Sequence, residues 1–375
     1  MLNYKTEREN TFKKIKTSMS KSCRYSSDNA LVFHNDSLEF LKKIPDQSIS
    51  LILTDPPYHS TKKKNIANDT AFSSDDEFVS WMNDYSKEWR RVLKSNGALY
   101  LFCSSKMSAR LEVMMSERFN VLSHIVWSKP NEPGFDGWKG KMKKESLRQW
   151  YAHSERILFF EPAIKENLMR SPFGHFLREN RIKCGLSGHK LTELTGAYGK
   201  VNHGGAVSNW ETGRNIPSRE QYDKICNAFL STEKIDYMPP YEDVIRPFNV
   251  NSKIEFTDVW DFYSVRPYNG KHPAEKPQDM LSHCIQSSSF ENDIVLDCFA
   301  GSGSTAISAI YNNRKSISIE LEDKWVDAIV SRIKSFENES SLNGLNPQAV
   351  MKLTKTNGVN KSKILSDAPT LFDQL

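Results

Sequence analysis

Short apolar runs alternate along the chain with longer segments in which apolar residues recur at helical spacing. The short runs predict buried strands at 51–54, 98–102, 121–127, 156–160, 293–297 and 316–319. A helical pattern covers 78–93, between the first two of these runs. Strands that alternate with helices predict a parallel sheet covered by helices on both faces. The expected fold class is therefore α/β, with a doubly wound sheet.

The pattern changes between Ser171 and Leu230, where short amphipathic helices replace the strands. The first 28 residues are polar and basic with few apolar anchors, and the chain after about Glu337 is rich in Asn, Ser and Lys. We therefore expect a flexible arm at 1–28, the two halves of an α/β domain at 29–170 and 236–336, a small inserted all-α domain at 171–235, and a flexible tail at 337–375.

Composition narrows the class of protein. A chain of 375 residues with 38% hydrophobic residues can bury a large core and a smaller unit beside it. The net charge of +5 suits a polyanionic partner, although solvated surfaces are often equally basic. The six cysteines show neither C-x-x-C spacing nor Cys/His clusters, and no apolar run approaches the roughly 20 residues that cross a bilayer. We expect a cytoplasmic protein with no metal, no disulfide and no membrane contact.

The first strand ends at Asp55-Pro56-Pro57-Tyr58, which combines a carboxylate, two prolines and an aromatic ring. Prolines lack a backbone donor and fix φ, so the strand must end here, and the oxygens of Asp55 and Pro56 can accept hydrogen bonds. Tyr58 adds a ring on which a flat base can stack. Taken alone, such a motif indicates a simple turn as often as a functional site. As a functional site, it can hold a flat base whose amino group reacts.

A second motif lies far downstream, where the strand at 293–297 leads into a glycine-rich turn. Gly301 and Gly303 let the backbone approach a ligand closely and leave N–H groups at the start of a helix. The next strand ends at Glu320, and a carboxylate about 20 residues past such glycines is the usual acceptor for ribose hydroxyls. This spacing predicts a site for a nucleotide-like cofactor.

Together the two motifs resemble the amino-group DNA methyltransferases that use S-adenosylmethionine. In that family the D-P-P-Y and F-x-G-x-G elements occur in permuted orders, and a chain with D-P-P-Y first resembles the β class. Asn35-Asp36-Ser37 resembles the opening segment of the family, and 271–277 resembles the segment that precedes the glycine turn. The resemblance covers about 30–165 and 255–335, and it implies a Rossmann-like methyltransferase sheet.

The resemblance also implies the residues of the site. The catalytic residues it implies are Asp55, Pro56, Pro57 and Tyr58. The residues it implies for S-adenosylmethionine are Asp36, Asp55, Lys276, Asp297, Phe299, Ala300, Gly301, Ser302, Gly303, Thr305 and Glu320. Asp36 and Lys276 can equally be ordinary surface charges.

Residues 171–230 resemble a repressor-type helix-turn-helix, whose second helix enters the major groove and reads base edges. The reading helix would span about 203–210, after a connection that is longer than a tight turn. The β class carries its target-recognition region at this place, although a purely structural helical insertion is the alternative. The expected DNA contacts are His203, Ser208, Asn209 and Arg214 in this region, and Lys62, Lys63, Lys64, Lys139 and Lys141 in lysine-rich segments that could also be solvated surface.

The function implied by the resemblance is methyl transfer to the N6 amine of adenine in a base flipped out of double-stranded DNA. Adenine is preferred because the D-P-P-Y form is commoner among adenine enzymes and S-P-P-Y among cytosine enzymes. Cytosine-N4 methylation, RNA methylation and a DNA-binding regulator with a degenerate methyltransferase fold stay open as alternatives. A restriction endonuclease partner and a homodimeric state are also left open.

Overall fold

The computed structural model describes residues 4–59, 72–130, 145, 148–150, 153–164, 171–198, 205–250, 256–266 and 268–342. These residues form nine strands and twelve α-helices. The strands are β1 (Cys23–Ser26), β2 (Ala30–His34), β3 (Ile49–Thr54), β4 (Leu93–Cys103), β5 (Phe119–Ser128), β6 (Ser154–Pro162), β7 (Val259–Asp261), β8 (Ile294–Asp297) and β9 (Lys315–Glu320). The helices are α1 (Tyr4–Ser18), α2 (Ser37–Leu41), α3 (Asp75–Val92), α4 (Ser108–Met115), α5 (Pro172–Lys183), α6 (Gly188–Thr195), α7 (Ala206–Glu211), α8 (Arg219–Leu230), α9 (Tyr241–Val244), α10 (Gln278–Ser288), α11 (Ser304–Tyr311) and α12 (Asp323–Leu342).

All nine strands belong to one sheet in the order β1-β2-β9-β8-β3-β4-β6-β5-β7. The five strands from β2 to β4 in this order run parallel, whereas β6 is antiparallel to both of its neighbours and β1 is antiparallel to β2. The predicted α/β class is confirmed, but the expectation of a wholly parallel sheet is wrong towards both edges. The exception at β6 is physically simple, because an antiparallel neighbour needs no crossover helix.

Helices cover both faces of the sheet, as the continuous burial of β3 requires. Ile52 packs on the face covered by α1 to α4, whereas Leu51 and Leu53 pack on the face covered by α10 and α11. Since successive residues of a strand point to opposite faces, an uninterrupted apolar run is what a central strand needs. The end of β3 is thus held rigidly at the centre of the molecule.

The first residues of the chain are part of the folded core. Phe12, Ile15 and Met19 lie on one side of α1 and its C-terminal end, and all three are buried against the sheet. Arg8 is buried as well, and its guanidinium forms ion pairs with Asp293 and, at 3.2 Å, with Asp243. The expectation of a flexible arm at 1–28 is therefore wrong for residues 4–26, because the few apolar residues recur at helical spacing and anchor the helix.

Helices α5 to α9 form a hydrophobic cluster of their own, which we call the helical unit. The cluster continues through Ile245, so the predicted boundary at 235 falls too early. The unit is fixed to the sheet by the Asn96 amide, which donates to the carbonyls of Glu242 at 2.8 Å and Ile245 at 3.2 Å. The last helix α9 thus joins the helical unit to β4.

The chain end also differs from expectation. Helix α12 runs to Leu342, and the Glu337 carboxylate accepts hydrogen bonds from the Tyr25 hydroxyl at 2.6 Å and the Ser27 hydroxyl at 2.7 Å. The prediction of a flexible tail from 337 onwards is therefore wrong for 337–342. The rest of that segment lies outside the described residues. Within the part of the chain that the structure describes, no helix is long and apolar enough to cross a membrane.

Candidate active site

A cavity of about 270 Å³ opens at the carboxyl ends of the parallel strands β3 and β8. Ligand sites of open α/β sheets lie at this edge, where the strand order reverses. The cavity is lined by every residue that the sequence predicted for catalysis or for the cofactor except Gly303. The structure therefore places two motifs that are about 240 residues apart in the chain around a single space.

The ends of β3 and β8 are tied together by side chains. The Thr54 hydroxyl donates to Asp297 Oδ1 at 3.0 Å and accepts from the backbone N–H of Cys298 at 3.2 Å. Asp297 Oδ1 also accepts from the N–H of Phe299 at 3.1 Å. These bonds fix the position of Asp55 relative to the glycine-rich turn, because each motif begins at one of the two strand ends.

Asp55 lies in a cluster of buried charges on one side of the cavity. Its Oδ2 atom is paired with the Lys276 ammonium, and the two side chains are only 17% and 8% exposed. Lys276 Nζ also lies 3.6 Å from Glu155 Oε2. Glu155 in turn accepts from the Tyr58 hydroxyl at 2.7 Å and pairs with Lys129. We call these five residues the Asp55 cluster.

Burial and charge shift the pKa values of the cluster in different directions. Burial raises the pKa of Asp55, against the opposing effect of the Lys276 charge. Burial alone would lower the pKa of Lys276, but the carboxylates of Asp55 and Glu155 more than reverse that effect and raise it. Burial would raise the pKa of Glu155, yet Lys276 and Lys129 lower it to about 2. At neutral pH, Lys276 and Glu155 are therefore both charged.

The glycine-rich turn forms the opposite side of the cavity. Gly301 and Gly303 have φ values of +48° and +76°, a region that other residues rarely adopt. A Cβ atom on Gly301 would lie 2.9 Å from the ring of His272, so a side chain at this position would have to displace that ring. The N–H of Gly301 donates to Glu320 Oε2 at 2.8 Å, which links the turn to the end of β9.

Comparison with known proteins agrees with this arrangement. The family model of the DNA methylases, N6_N4_Mtase, matches residues 49–331. The chain belongs to this family. The expected DNA methyltransferase is thus confirmed.

Two curated relatives match most of the chain. DNA adenine methyltransferase YhdJ of Escherichia coli (strain K12) is 27% identical over 351 residues, which are 92% of this chain and 95% of the relative. Type II methyltransferase M.BglII of Bacillus subtilis is 24% identical over 341 residues, which are 88% of this chain and 75% of the relative. The similarity therefore extends beyond the two motifs.

One solved structure has a similar fold. The PvuII DNA methyltransferase (cytosine-N4-specific) superposes with a TM-score of 0.52 at 17% identity, and the match covers 89% of this chain and 94% of that chain. At this identity the likeness concerns the fold alone. It supports the architecture of the sheet, and it leaves the choice of target base to the chemistry of the cavity.

Two residues predicted for the cofactor make other contacts. Asp36 is the N-cap of α2 and accepts from the N–H of Glu39 at 3.0 Å, while it also lines the cavity. Lys276 is paired with Asp55, on the side of the cavity opposite the glycine turn. Lys276 is therefore not an ordinary surface charge, and its contacts point to a role beside Asp55.

Several residues of the cavity could not be selected from the sequence alone. Glu155 lies at the start of β6, and it reaches the cavity only because β6 runs antiparallel to β4. Trp81 and Tyr85 of α3 place their rings 5.7 Å and 5.1 Å from that of Phe299 and form an aromatic wall. Their spacing in the sequence indicates only a helix with an apolar face.

The three predicted DNA contacts that the structure describes do not line the cavity. Ser208 and Arg214 are exposed, and Asn209 is half-buried, in and just after α7. Helix α7 begins at Ala206, so the predicted start of the reading helix at 203 is not matched by the described residues. Lys62, Lys63, Lys64, Lys139, Lys141 and His203 lie outside the described residues.

Proposed function

We propose that this DNA methyltransferase transfers a methyl group from S-adenosylmethionine to the N6 amine of adenine, in a base flipped out of double-stranded DNA. One observation carries the proposal. Asp55 Oδ1 is buried and has no hydrogen-bond partner among the described residues, and Asp55 lines the same cavity as the glycine turn. A buried acceptor without a donor raises the free energy of the folded protein, so we expect a donor on the substrate to form a hydrogen bond with this oxygen.

The cavity fits the cofactor of the family. The turn around Gly301 offers close backbone approach, Glu320 offers a carboxylate for the ribose hydroxyls, and Phe299 with Trp81 and Tyr85 offers aromatic surface for the adenine ring. When bound, S-adenosylmethionine supplies a methyl group already activated by its sulfonium, and the bonding pair stays with sulfur when the methyl leaves. The residues assigned to it are Asp36, Asp297, Phe299, Ala300, Gly301, Ser302, Gly303, Thr305 and Glu320.

Asp55 and Pro56 would activate the target amine. Its nitrogen is a poor nucleophile because its lone pair is delocalised into the ring. Two acceptors, Asp55 Oδ1 and the Pro56 carbonyl, would hold both amine hydrogens and favour the pyramidal nitrogen that can attack. As the new bond forms, the nitrogen releases one proton to Asp55. Tyr58, whose hydroxyl is fixed by Glu155, supplies the ring on which the flipped base stacks.

The choice of adenine over cytosine has two supports. The motif carries Asp55 in the form common among adenine enzymes of the family, and the relative from Escherichia coli is named a DNA adenine methyltransferase. Both bases present the same amine to the two acceptors. Formation of N4-methylcytosine would therefore keep the proposed mechanism and overturn only the base.

We also propose that the helical unit recognises the DNA sequence as a helix-turn-helix. In support, α6 and α7 pack against one another around Leu191, Val207 and Trp210, and α8 closes the cluster. Asn209 and Ser208 on α7 would then reach base edges, while Arg214 would contact phosphate. In this arrangement Trp210 serves the core, since it is 1% exposed.

The direct test is methyl incorporation by the Asp55→Ala variant. With tritiated S-adenosylmethionine and double-stranded DNA, we expect the rate to fall at least 1,000-fold, on the order of what loss of a transition-state contact and a proton acceptor together produce. Cofactor binding should weaken slightly at most. Asp84→Ala, at an exposed position paired with Lys87, is the matched control. Near-normal incorporation by Asp55→Ala would refute the proposal, and stronger labelling of RNA than of DNA would refute the substrate.

A further inference from the structure

The Asp55 cluster holds more charge than the proposed chemistry uses. Two carboxylates, Asp55 and Glu155, and two ammonium groups, Lys129 and Lys276, meet in a space from which water is largely excluded. Isolated charges in such a place are unstable, so they must compensate one another. Lys276 is the central member, because it is the cation that contacts both carboxylates.

The two carboxylate oxygens of Asp55 have different surroundings. Oδ2 is taken by the Lys276 ammonium, whereas Oδ1 is buried and has no partner within the described ranges. A carboxylate held at one oxygen cannot rotate freely, so the position of the other oxygen is fixed as well. Lys276 is itself enclosed by the rings of Tyr58 and Phe102, each centred 5.3 Å from its nitrogen.

We propose that Lys276 and Glu155 are positioning residues for Asp55. Lys276 holds Oδ2 and thereby presents Oδ1 to the target amine, and Glu155 holds Lys276 and the Tyr58 hydroxyl in place. The inference rests on the proposed function, since it concerns the same base site. It gives Lys276 a role at the target base instead of the cofactor role implied by the resemblance.

Charge supports the same assignment. Lys276 is already protonated, and Glu155, with a pKa of about 2 and with contacts to Lys276, Lys129 and the Tyr58 hydroxyl, is a weaker base than Asp55 for the proton that the amine releases. Asp55 is left as the acceptor, and the positive charge of Lys276 opposes the rise in its pKa that burial causes. The other titratable groups around Asp55 are Tyr58, Asp297 and Cys103, and burial raises the pKa of each of them.

The two positioning residues should act on Asp55 with opposite sign. Lys276→Met removes a positive charge and leaves a buried carboxylate unpaired, so the pKa of Asp55 should rise. Glu155→Gln removes a negative charge and leaves Lys276 entirely to Asp55, so the pKa of Asp55 should fall. A cluster that served only to stabilise the fold would not separate the two variants in this way.

The experiment is the single-turnover rate of methyl transfer as a function of pH for the full-length protein, with cofactor and DNA saturating. For Lys276→Met we expect the acid limb of the profile to move about one pH unit or more towards higher pH. For Glu155→Gln we expect it to move towards lower pH. Lys276→Arg keeps the charge and should restore the limb, and Lys87→Met, an exposed lysine paired with Asp84 at 2.8 Å, is the matched control.

Folding is checked through the melting temperature and cofactor binding of each variant, because removal of one partner of a buried pair can cost about 3–5 kcal/mol. If Lys276→Met does not fold, the direction in which the acid limb of Glu155→Gln moves still tests the inference. The inference would be overturned if the acid limbs of the two variants moved in the same direction. It would also be overturned if the acid limb of Glu155→Gln stayed in place or moved towards higher pH. Failure of the wild-type protein and Lys87→Met to methylate DNA would instead overturn the proposed function.

Discussion

In the cavity the side chains of Asp55 and Lys276 are paired and only 17% and 8% exposed, whereas Ser208 and Arg214 of the helical unit are exposed to solvent. The two regions hold polar groups in opposite ways because their proposed tasks differ. Methyl transfer needs acceptors that are fixed and desolvated before the substrate arrives. A surface that reads DNA stays hydrated until the phosphates and bases displace water and counterions.

This difference separates the effects that substitutions should have. Changes in the cavity should alter the rate of methyl transfer or the affinity for the cofactor, with little dependence on salt. Changes on the helical unit should alter the affinity for DNA and the slope of that affinity against salt concentration. The following substitutions test whether the two regions are in fact separable.

Among the substitutions that test this separation, the largest effect is expected for Glu320→Ala in the cavity. Its carboxylate accepts from the N–H groups of Gly301, Leu321 and Glu322 at 2.8–2.9 Å, so it holds the glycine turn as well as the proposed ribose site. We expect a loss of cofactor affinity of roughly 10- to 100-fold, in the range of lost hydrogen bonds to a charged group. Isothermal titration calorimetry measures this directly.

The same variant should bind DNA with the salt dependence of the wild type. Asp327→Ala, at an exposed position of α12 that does not line the cavity, is the control for cofactor binding. Unchanged cofactor affinity in Glu320→Ala would show that the cofactor does not use this end of the sheet.

A smaller effect is expected on the helical unit. Arg214→Ala should weaken DNA binding several-fold on every sequence, because a phosphate contact carries no sequence information. It should also reduce the slope of log affinity against log salt concentration by about one, which is the contribution of one phosphate contact. Asn209→Ala should instead relax the preference for one base, at a cost of about 1–3 kcal/mol on the preferred site. Fluorescence anisotropy at several salt concentrations distinguishes the two.

Lys224→Ala provides the matched control, since Lys224 is an exposed lysine of α8 paired with Glu220 at 2.8 Å. If all three variants bind DNA like the wild type, the helical unit is only a structural insertion. If they change the cofactor affinity instead, the two regions are not separable.

The smallest effect concerns Asp279, a carboxylate at the start of α10 that does not line the cavity. Burial raises its pKa to about 6, against the hydrogen bond from the N–H of Met280. Since the folded pKa lies above the unfolded value, ionisation destabilises the fold as the pH rises from about 4 through 6. Asp279→Asn removes this destabilisation and should raise the free energy of unfolding by about 1–2 kcal/mol at pH 8, with no gain near pH 4.

Urea unfolding at the two pH values checks the stability of Asp279→Asn, and the methylation assay serves as its control. Methyl transfer should be unchanged, because the residue lies outside the cavity. An equal gain at both pH values would contradict the titration of Asp279 as the cause.

The sequence predicted the parts of the site that depend on local chemistry. The prolines after Thr54 must end β3, and the glycines at 301 and 303 must occupy a turn with positive φ, so both motifs could be placed without a structure. The position of Glu155 could not be predicted in this way. It depends on the direction of β6, which is a property of the whole sheet rather than of any local pattern.

The same reason explains the error at the start of the chain. The basic composition of the first 28 residues indicated a solvated arm, but one basic residue, Arg8, pairs with Asp293 nearly 300 positions later. A pair that distant in sequence leaves no local signal. The three apolar residues at 12, 15 and 19 were the sign of a packed helix, and their helical spacing outweighs the polar composition around them.

If the cavity methylates an amine of a flipped base, the product carries its new methyl group on an exocyclic nitrogen. The most direct test is the chemical identity of that product, measured by mass spectrometry of nucleosides from DNA that the purified protein has methylated with S-adenosylmethionine. We expect N6-methyladenine, and its absence when Asp55→Ala is used. Methyl groups found on a ring carbon, as in 5-methylcytosine, would contradict the claim, because Asp55 and Pro56 have no part in activating a carbon.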